Sequence, residues 1–163
     1  MFFKQLGIIF LVGIAFVAAK IQPATYGIRT PNDYFHVVRN GDGNKPIYAI
    51  TESSASGEIW FVDEYEEGSD TYVIQNYVTK KYIAQSKKKA YDHHLYLLNK
   101  NREQATRFQI DQVGNDDRTF IVKVANTDLQ WSTANGNANE KEIVLSTTSS
   151  GTNNQFEFNI ILF

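Results

Sequence analysis

The segment NQFEFNI, residues 154–160, decides the fold because it repeats two earlier segments at a fixed interval. Apolar and polar residues alternate along it, as they do in a strand with one buried face. The same alternation occurs in EIWFVDEY (58–65) and ATRFQIDQV (105–113). The large aromatic residue that anchors each segment recurs every 48 residues, at Trp60, Phe108 and Phe156. A fixed period of this length is typical of a repeat architecture.

Three further classes of segment recur at a closely similar interval. The first class comprises TYGIRT (25–30), TYVIQN (71–76) and TFIVKV (119–124). The second comprises YFHVV (34–38), KYIAQ (81–85) and QWSTA (130–134), and the third comprises PIYAIT (46–51), HLYLLN (94–99) and EIVLST (142–147). Four classes in three copies predict twelve short strands in three repeats of about 47 residues. The predicted fold is therefore an all-β β-trefoil, a six-stranded barrel closed by three hairpins, with residues 154–160 closing the barrel against residues 25–30.

The first nineteen residues have the pattern of a secretory signal peptide. Lys4 gives a positive start, an apolar run covers residues 6–18, and the small residues Val17 and Ala19 precede a cleavage site. The run is shorter than the roughly 20 residues that a membrane-spanning helix needs. We therefore predict a signal peptide over residues 1–19, a trefoil domain over residues 20–163, secretion, and no membrane attachment after signal removal.

The composition excludes several classes of protein. The chain has no cysteine, which excludes thiol catalysis, thiolate metal sites and disulfide-stapled inhibitors. Without Lys4, 15 basic residues remain against 18 acidic ones, a net charge of −3. This charge argues against a nucleic-acid-binding protein, which would be basic. We predict no cofactor and no metal.

The sequence contains no catalytic constellation. His36 lies within a predicted strand, and the other two histidines, His93 and His94, are adjacent. Adjacent residues of a strand point to opposite faces, which does not favour a shared metal. No metalloprotease or nucleophile-elbow motif is present, and the acidic stretch DEYEEGSD (63–70) is typical of a solvated turn. We therefore predict a protein that acts by binding and is not an enzyme.

Two predicted loops have the properties of a protease-binding loop, because rigid scaffolds usually carry function on loops. The loop NGDGNKP (40–46) and the residue before it provide four candidates: Arg39, Asn40, Asn44 and Lys45. The loop QSKKKAYD (85–92) provides an alternative run of three: Lys87, Lys88 and Lys89. An exposed lysine suits a protease pocket that holds a buried carboxylate. A lysine run is also typical of a solvated hairpin tip.

Carbohydrate binding is the alternative function, since many trefoils are lectins of the ricin-B kind whose repeats carry Q-x-W. The nearest matches here, at residues 155–158 and 106–108, lack the tryptophan. Trp131 is the one candidate for stacking on a sugar, but it occupies a position that Phe35 and Tyr82 hold in the other repeats, which favours the core. We predict core positions for all the repeated aromatic residues: Trp60, Tyr72, Tyr82, Phe108, Phe120, Trp131 and Phe156.

The chain resembles the cysteine-free β-trefoil serine protease inhibitors of fungi, the mushroom cospin type. The resemblance rests on TYGIRT at the start, on IWFV, TYVIQN and TRFQI within the chain, and on NNQFEFNI at the end. It covers nearly all of residues 25–163 and implies a tight, reversible inhibitor of trypsin-like proteases. It also implies a reactive loop between the second and third strands of the first repeat, residues 39–45, with an asparagine or a basic residue at P1.

We therefore predict a secreted, monomeric β-trefoil protein. The main predicted function is reversible inhibition of a secreted trypsin-like serine protease through an exposed loop. The alternative is a ricin-B-like lectin with a glycan as partner. A lectin would be retained on a sugar matrix and released by free sugar, whereas an inhibitor would elute together with its protease.

Overall fold

Twelve β-strands and one short 3-10 helix make up the described part of the chain. A computed structural model of the protein describes residues 20–31, 36–39, 46–50, 58–86, 93–98, 101–134, 139–147 and 153–163. The strands in chain order are β1 (Ala24–Arg29), β2 (His36–Arg39), β3 (Ile47–Ile50), β4 (Ile59–Glu64), β5 (Tyr72–Asn76), β6 (Tyr82–Gln85), β7 (Leu95–Leu98), β8 (Phe108–Gln112), β9 (Thr119–Val124), β10 (Gln130–Thr133), β11 (Glu140–Ser146) and β12 (Phe156–Ile160). The 3-10 helix, Arg102–Gln104, lies between β7 and β8. The twelve predicted strands are confirmed.

Six of the strands form a closed antiparallel barrel. β1 pairs with β4, β4 with β5, β5 with β8, β8 with β9, and β9 with β12. β12 then returns to β1, with Tyr26 opposite Ile160 and Ile28 opposite Phe158. Closure leaves the barrel without a free strand edge. The predicted pairing of the last strand with the first is therefore confirmed.

The other six strands form three hairpins at one end of the barrel: β2–β3, β6–β7 and β10–β11. The hairpins interlock. β3 pairs with β11, and isolated bridges join Pro46 to Tyr96 and His94 to Val144. A six-stranded barrel capped by three hairpins is the β-trefoil fold.

Repeated aromatic side chains fill the core because the three repeats face one another across the barrel. Six of the seven predicted core aromatics are buried: Trp60, Tyr72, Phe108, Phe120, Trp131 and Phe156. The seventh, Tyr82, is half-buried. Full burial of a side chain as large as phenylalanine stabilises a fold by about 1.5–3 kcal/mol. The aromatic residues therefore recur at a fixed interval because they fill the same barrel core.

The predicted signal peptide, residues 1–19, lies outside the described residues. Within the described ranges no helix has the length and apolar character that a membrane crossing needs.

Candidate functional site

The structure shows where the two predicted protease-binding loops begin and end. Arg39 is the last residue of β2 and faces Ile47 across the β2–β3 ladder. Gln85 faces Leu95 across the β6–β7 ladder in the same way. The other predicted residues lie outside the described residues: Asn40, Asn44, Lys45, Lys87, Lys88 and Lys89. Each loop therefore connects the two strands of one hairpin, and its role in protease binding stays a prediction.

Trp131 belongs to the core. It has no exposed surface, and its ring meets those of Phe108 and Phe156 edge-to-face at centroid distances of 5.5 and 5.6 Å. A sugar cannot reach an indole packed in this way. The interpretation of Trp131 as a core residue is therefore confirmed.

A different group of side chains converges where the three hairpins meet, on the pseudo-threefold axis. Along β3, β7 and β11, buried residues that face the barrel core alternate with half-buried residues that face outward. The outward-facing residues of these strands, and of the positions just before them, form what we call the axis patch: Pro46, Tyr48, His94, Tyr96, Glu142 and Val144.

The axis patch has the 48-residue period of the sequence. Positions 46, 94 and 142 are equivalent in the three repeats, and so are positions 48, 96 and 144. Each residue of the first set pairs with a residue of the second set on a neighbouring hairpin: Pro46 with Tyr96, His94 with Val144, and Glu142 with Tyr48. This cyclic pairing places all six side chains around one axis.

A histidine–glutamate pair and two tyrosines give the axis patch its chemistry. Nδ1 of His94 contacts Oε1 of Glu142, and the two side chains are 28% and 22% exposed. The rings of His94 and Tyr96 lie 6.2 Å apart between centroids. Burial raises the pKa of Tyr48, and the nearby carboxylates of Glu142 and Glu140 add to this effect. The phenol of Tyr48 therefore stays neutral near pH 7 and can both donate and accept a hydrogen bond.

Sequence reasoning missed the axis patch. It considered His94 only together with its neighbour His93 and did not relate it to Glu142, which lies one repeat later. The signal that could have found this pair is the period itself, because equivalent positions of successive hairpins meet at the axis. Within the described residues, no group of three or more histidine, cysteine, aspartate or glutamate side chains is placed to hold a metal ion.

The acidic stretch at residues 63–70 comprises the end of β4 and the turn that leads to β5, and two arginines contact it. Nη1 of Arg102 donates to a carboxylate oxygen of Asp63 at 2.6 Å, and Nη2 donates to the carbonyl of Tyr65 at 3.1 Å. The guanidinium carbon of Arg107 lies 3.7 Å from the centroid of the Tyr65 ring. These contacts give the stretch a structural role.

Comparisons with known proteins agree on the fold. No protein-family model and no curated protein matches the chain. A ricin B-like lectin of Macrolepiota procera, in complex with lactose, is 16% identical with a TM-score of 0.70, over 88% of this chain and 100% of the lectin. SeviL bound to the asialo-GM1 saccharide is 11% identical with a TM-score of 0.65, over 86% and 100%. The designed three-fold symmetric protein ThreeFoil is 14% identical with a TM-score of 0.63, over 85% and 99%.

Structural similarity at sequence identities of 11–16% shows the fold alone. The chain is a β-trefoil, as its sequence period and its resemblance to fungal trefoils both predict. Membership of the fungal inhibitor family stays a prediction.

Proposed function

We propose that the protein is a carbohydrate-binding β-trefoil without catalytic activity, and that the axis patch holds one glycan. The observation that carries this proposal is the convergence of Tyr48 and Tyr96 with the His94–Glu142 pair at one place on the surface. Half-buried side chains at such a place are accessible to a ligand and yet held by the strands beneath them.

Each part of the axis patch matches a part of a sugar. A pyranose ring has an apolar C–H face, which the flat apolar body of a tyrosine can cover. It also carries hydroxyl groups, which hydrogen-bond to carboxylates, imidazoles and phenols. The carboxylate of Glu142 can accept hydrogen bonds, and the tyrosine hydroxyls can both donate and accept them. Ligand sites commonly combine aromatic lining with a few polar groups of this kind.

The structural neighbours support a glycan as the ligand class. The Macrolepiota procera lectin is in complex with lactose, and SeviL is bound to the asialo-GM1 saccharide. The similarity covers 88% and 86% of this chain, so the trefoil scaffold as a whole is compatible with sugar binding.

A glycan array followed by calorimetric titration tests the proposal. The purified protein is applied to the array, and the best-retained glycan is then titrated, with an expected stoichiometry of one glycan per chain. Tyr96→Ala and Glu142→Gln should each weaken binding at least tenfold, since central anchors dominate the energy of an interface. Tyr77→Ala is the matched control for the tyrosine, because Tyr77 is exposed on the β5–β6 turn, outside the axis patch. Glu66→Gln, on the exposed β4–β5 turn, is the control for the glutamate.

The possible results distinguish a wrong site from a wrong function. Unchanged affinity in Tyr96→Ala and Glu142→Gln, with the glycan still bound, would show that the sugar binds elsewhere on the trefoil. Failure to retain any glycan on the array would contradict carbohydrate binding itself. Thermal unfolding of each variant shows whether the fold is intact before affinities are compared.

Inhibition of a secreted serine protease is the second candidate. The observation that favours it is the pairing of Arg39 with Ile47, which ties both ends of the loop at residues 40–46 to one ladder. A loop held at both ends loses less conformational freedom when it binds. Stoichiometric loss of trypsin or chymotrypsin activity at nanomolar protein, relieved by Asn40→Ala or Lys45→Ala, would support this function. Full activity of both enzymes at micromolar protein would contradict it.

We also propose that residues 1–19 direct secretion and are then removed. Expression of the whole chain in a secreting eukaryotic host, followed by mass spectrometry of the N-terminus, tests this. A protein in the medium that begins at Lys20 is the expected result, whereas an uncleaved chain retained in the cells would contradict it.

A further inference from the structure

A concave site lies at the end of the barrel away from the hairpins. This barrel-end cleft has a volume of about 500 Å³ and is formed by residues 20–22, the turn between β8 and β9, and the end of β12. Its volume is within the roughly 300–1,000 Å³ of small-molecule sites. The axis patch and the barrel-end cleft share no residue.

Three aromatic residues line the floor of the barrel-end cleft: Tyr26, Phe120 and Phe158. Phe158 meets both of the other rings edge-to-face, at centroid distances of 5.7 and 5.4 Å. Each of the three is at most 5% exposed, so the floor is part of the packed core and does not depend on mobile side chains. Ile160 also lines the cleft and is 60% exposed, so it provides apolar surface that the apolar body of a ligand can cover.

Hydrogen bonds fix the β8–β9 turn that forms one rim. The backbone N–H of Phe158 donates to the carbonyl of Arg118 at 2.8 Å, which ties the turn to β12. One carboxylate oxygen of Asp116 accepts from the hydroxyl of Thr119 at 2.6 Å, and the other accepts from the backbone N–H of Arg118 at 3.0 Å. These bonds, the one from Thr119 first, lower the pKa of Asp116 below its ordinary value. The rim is therefore preorganised, which reduces the entropic cost of binding.

The opposite rim is fixed as well. The hydroxyl of Tyr26 donates to the carbonyl of Gln22 at 2.7 Å, which holds residues 20–22 against the barrel. The ammonium of Lys20 forms an ion pair with the carboxylate of Asp70. The hydrogen bond between the two groups raises the pKa of Lys20. Lys20 lines the cleft, but its positive charge is balanced by the carboxylate of Asp70.

Two other charged residues on the rim differ from Lys20 in their ion pairing. Asp117 and Arg118 both line the barrel-end cleft and are exposed, and neither forms an ion pair with another residue in the described ranges. They present one negative and one positive group next to each other above an apolar floor. A guanidinium binds a carboxylate with two parallel hydrogen bonds, and a carboxylate binds an ammonium. The complementary ligand carries a carboxylate and an ammonium close together on an apolar body.

We propose that the barrel-end cleft binds a free α-amino acid with a large apolar side chain. Arg118 takes the carboxylate, Asp117 takes the ammonium, and the exposed apolar surface of Ile160, above the aromatic floor, takes the side chain. The proposal is independent of carbohydrate binding at the axis patch.

Three indole compounds test the charge requirement. L-tryptophan carries both charges, tryptamine lacks the carboxylate, and 3-indolepropionate lacks the ammonium. Ligand-observed NMR and calorimetric titration of the purified protein should show tryptophan binding at least tenfold more tightly than either analogue. Equal binding of all three compounds, or no binding of tryptophan at millimolar concentration, would overturn the proposal.

Two variants assign the charges to residues. Arg118→Gln should reduce tryptophan affinity at least tenfold and leave tryptamine affinity unchanged. Asp117→Asn should also reduce tryptophan affinity at least tenfold, but it should leave the affinity for 3-indolepropionate unchanged. Arg107→Gln removes the same charge at a position outside the cleft and should change neither. A loss of affinity in Arg107→Gln equal to that in Arg118→Gln would show a general charge effect and overturn the assignment.

Discussion

The two tryptophans of this chain allow one buried hydrogen bond to be isolated. Trp60 and Trp131 both have no exposed surface. The indole Nε1–H of Trp60 donates to the carbonyl of Val37 at 2.8 Å, whereas Nε1 of Trp131 is buried and donates to no described residue. We predict that Trp60→Phe destabilises the protein more than Trp131→Phe, although the side-chain change is the same.

The expected difference follows from what each substitution leaves behind. Both shrink a fully buried ring system, so the lost transfer free energy and the cavity together cost about 1–2 kcal/mol in each case. Trp60→Phe also deprives the buried carbonyl of Val37 of a donor, which adds about 1–2 kcal/mol. Trp131→Phe removes a donor without a described acceptor, and the new ring can still meet Phe108 and Phe156 edge-on. Trp60→Phe should therefore cost about 1–2 kcal/mol more than Trp131→Phe.

Equilibrium unfolding in urea measures this difference. Each variant keeps one tryptophan as a fluorescence reporter, and circular dichroism provides a second probe that both variants share. The slope of the free energy of unfolding against urea should be the same in both variants, so that the midpoints report stability. Equal free energies of unfolding, or a larger loss in Trp131→Phe, would refute the reasoning from the hydrogen bond.

Two further predictions concern ionisation and backbone strain. Burial raises the pKa of three tyrosines above the ordinary value of 10.0, so the folded state holds their protons more tightly than the unfolded chain does: Tyr26, Tyr48 and Tyr72. The stability linked to these protons is therefore complete below pH 10 and is lost as the pH rises through the folded pKa of each tyrosine; urea midpoints that do not fall as the pH is raised above 10 would contradict this. Gly68 has a φ of 76°, and a methyl group added at its Cα would meet no atom within 4 Å, so Gly68→Ala should cost about 1–2 kcal/mol through the backbone alone. Glu67→Ala, at the neighbouring position of the same turn, is the control for thermal unfolding, and an equal effect of both changes would argue against strain.

The barrel could be predicted from the sequence because its signal is local and is repeated three times. Alternation of apolar and polar residues within each segment marks a strand, and the 48-residue spacing shows which strands are equivalent. Closure of residues 154–160 against residues 25–30 follows once three equivalent units must form a ring. Tyr82 shows the limit of this reasoning, since it belongs to the same class of position as the buried Trp131 but is half-buried. The period predicts a strand, and the depth of a side chain depends on the packing around it.

Neither proposed site could be predicted in the same way, because each depends on contacts between distant segments. The axis patch exists because Pro46 pairs with Tyr96 and His94 with Val144, and no local pattern records which outward-facing residues meet. The barrel-end cleft joins residues 20–22 to a turn almost a hundred positions later and to the last strand. Composition and motif searches also favour charged runs such as the lysines at residues 87–89, which stand out in a sequence whether or not they have a partner.

Symmetry explains why a ligand site is expected on the outer face of the hairpins and not within them. Three equivalent strands that fill one interior need similar side chains, which is why Ile47, Leu95 and Ile143 are all aliphatic and buried. The outward-facing positions have no shared volume to fill, and the chain departs from symmetry there: the first set holds proline, histidine and glutamate, and the second holds two tyrosines and a valine. The proposed glycan site therefore contains a single histidine–glutamate pair, between His94 and Glu142. Because the six residues of the axis patch surround a single axis, the proposed site occurs once per chain, whereas sites built separately in each repeat would occur up to three times.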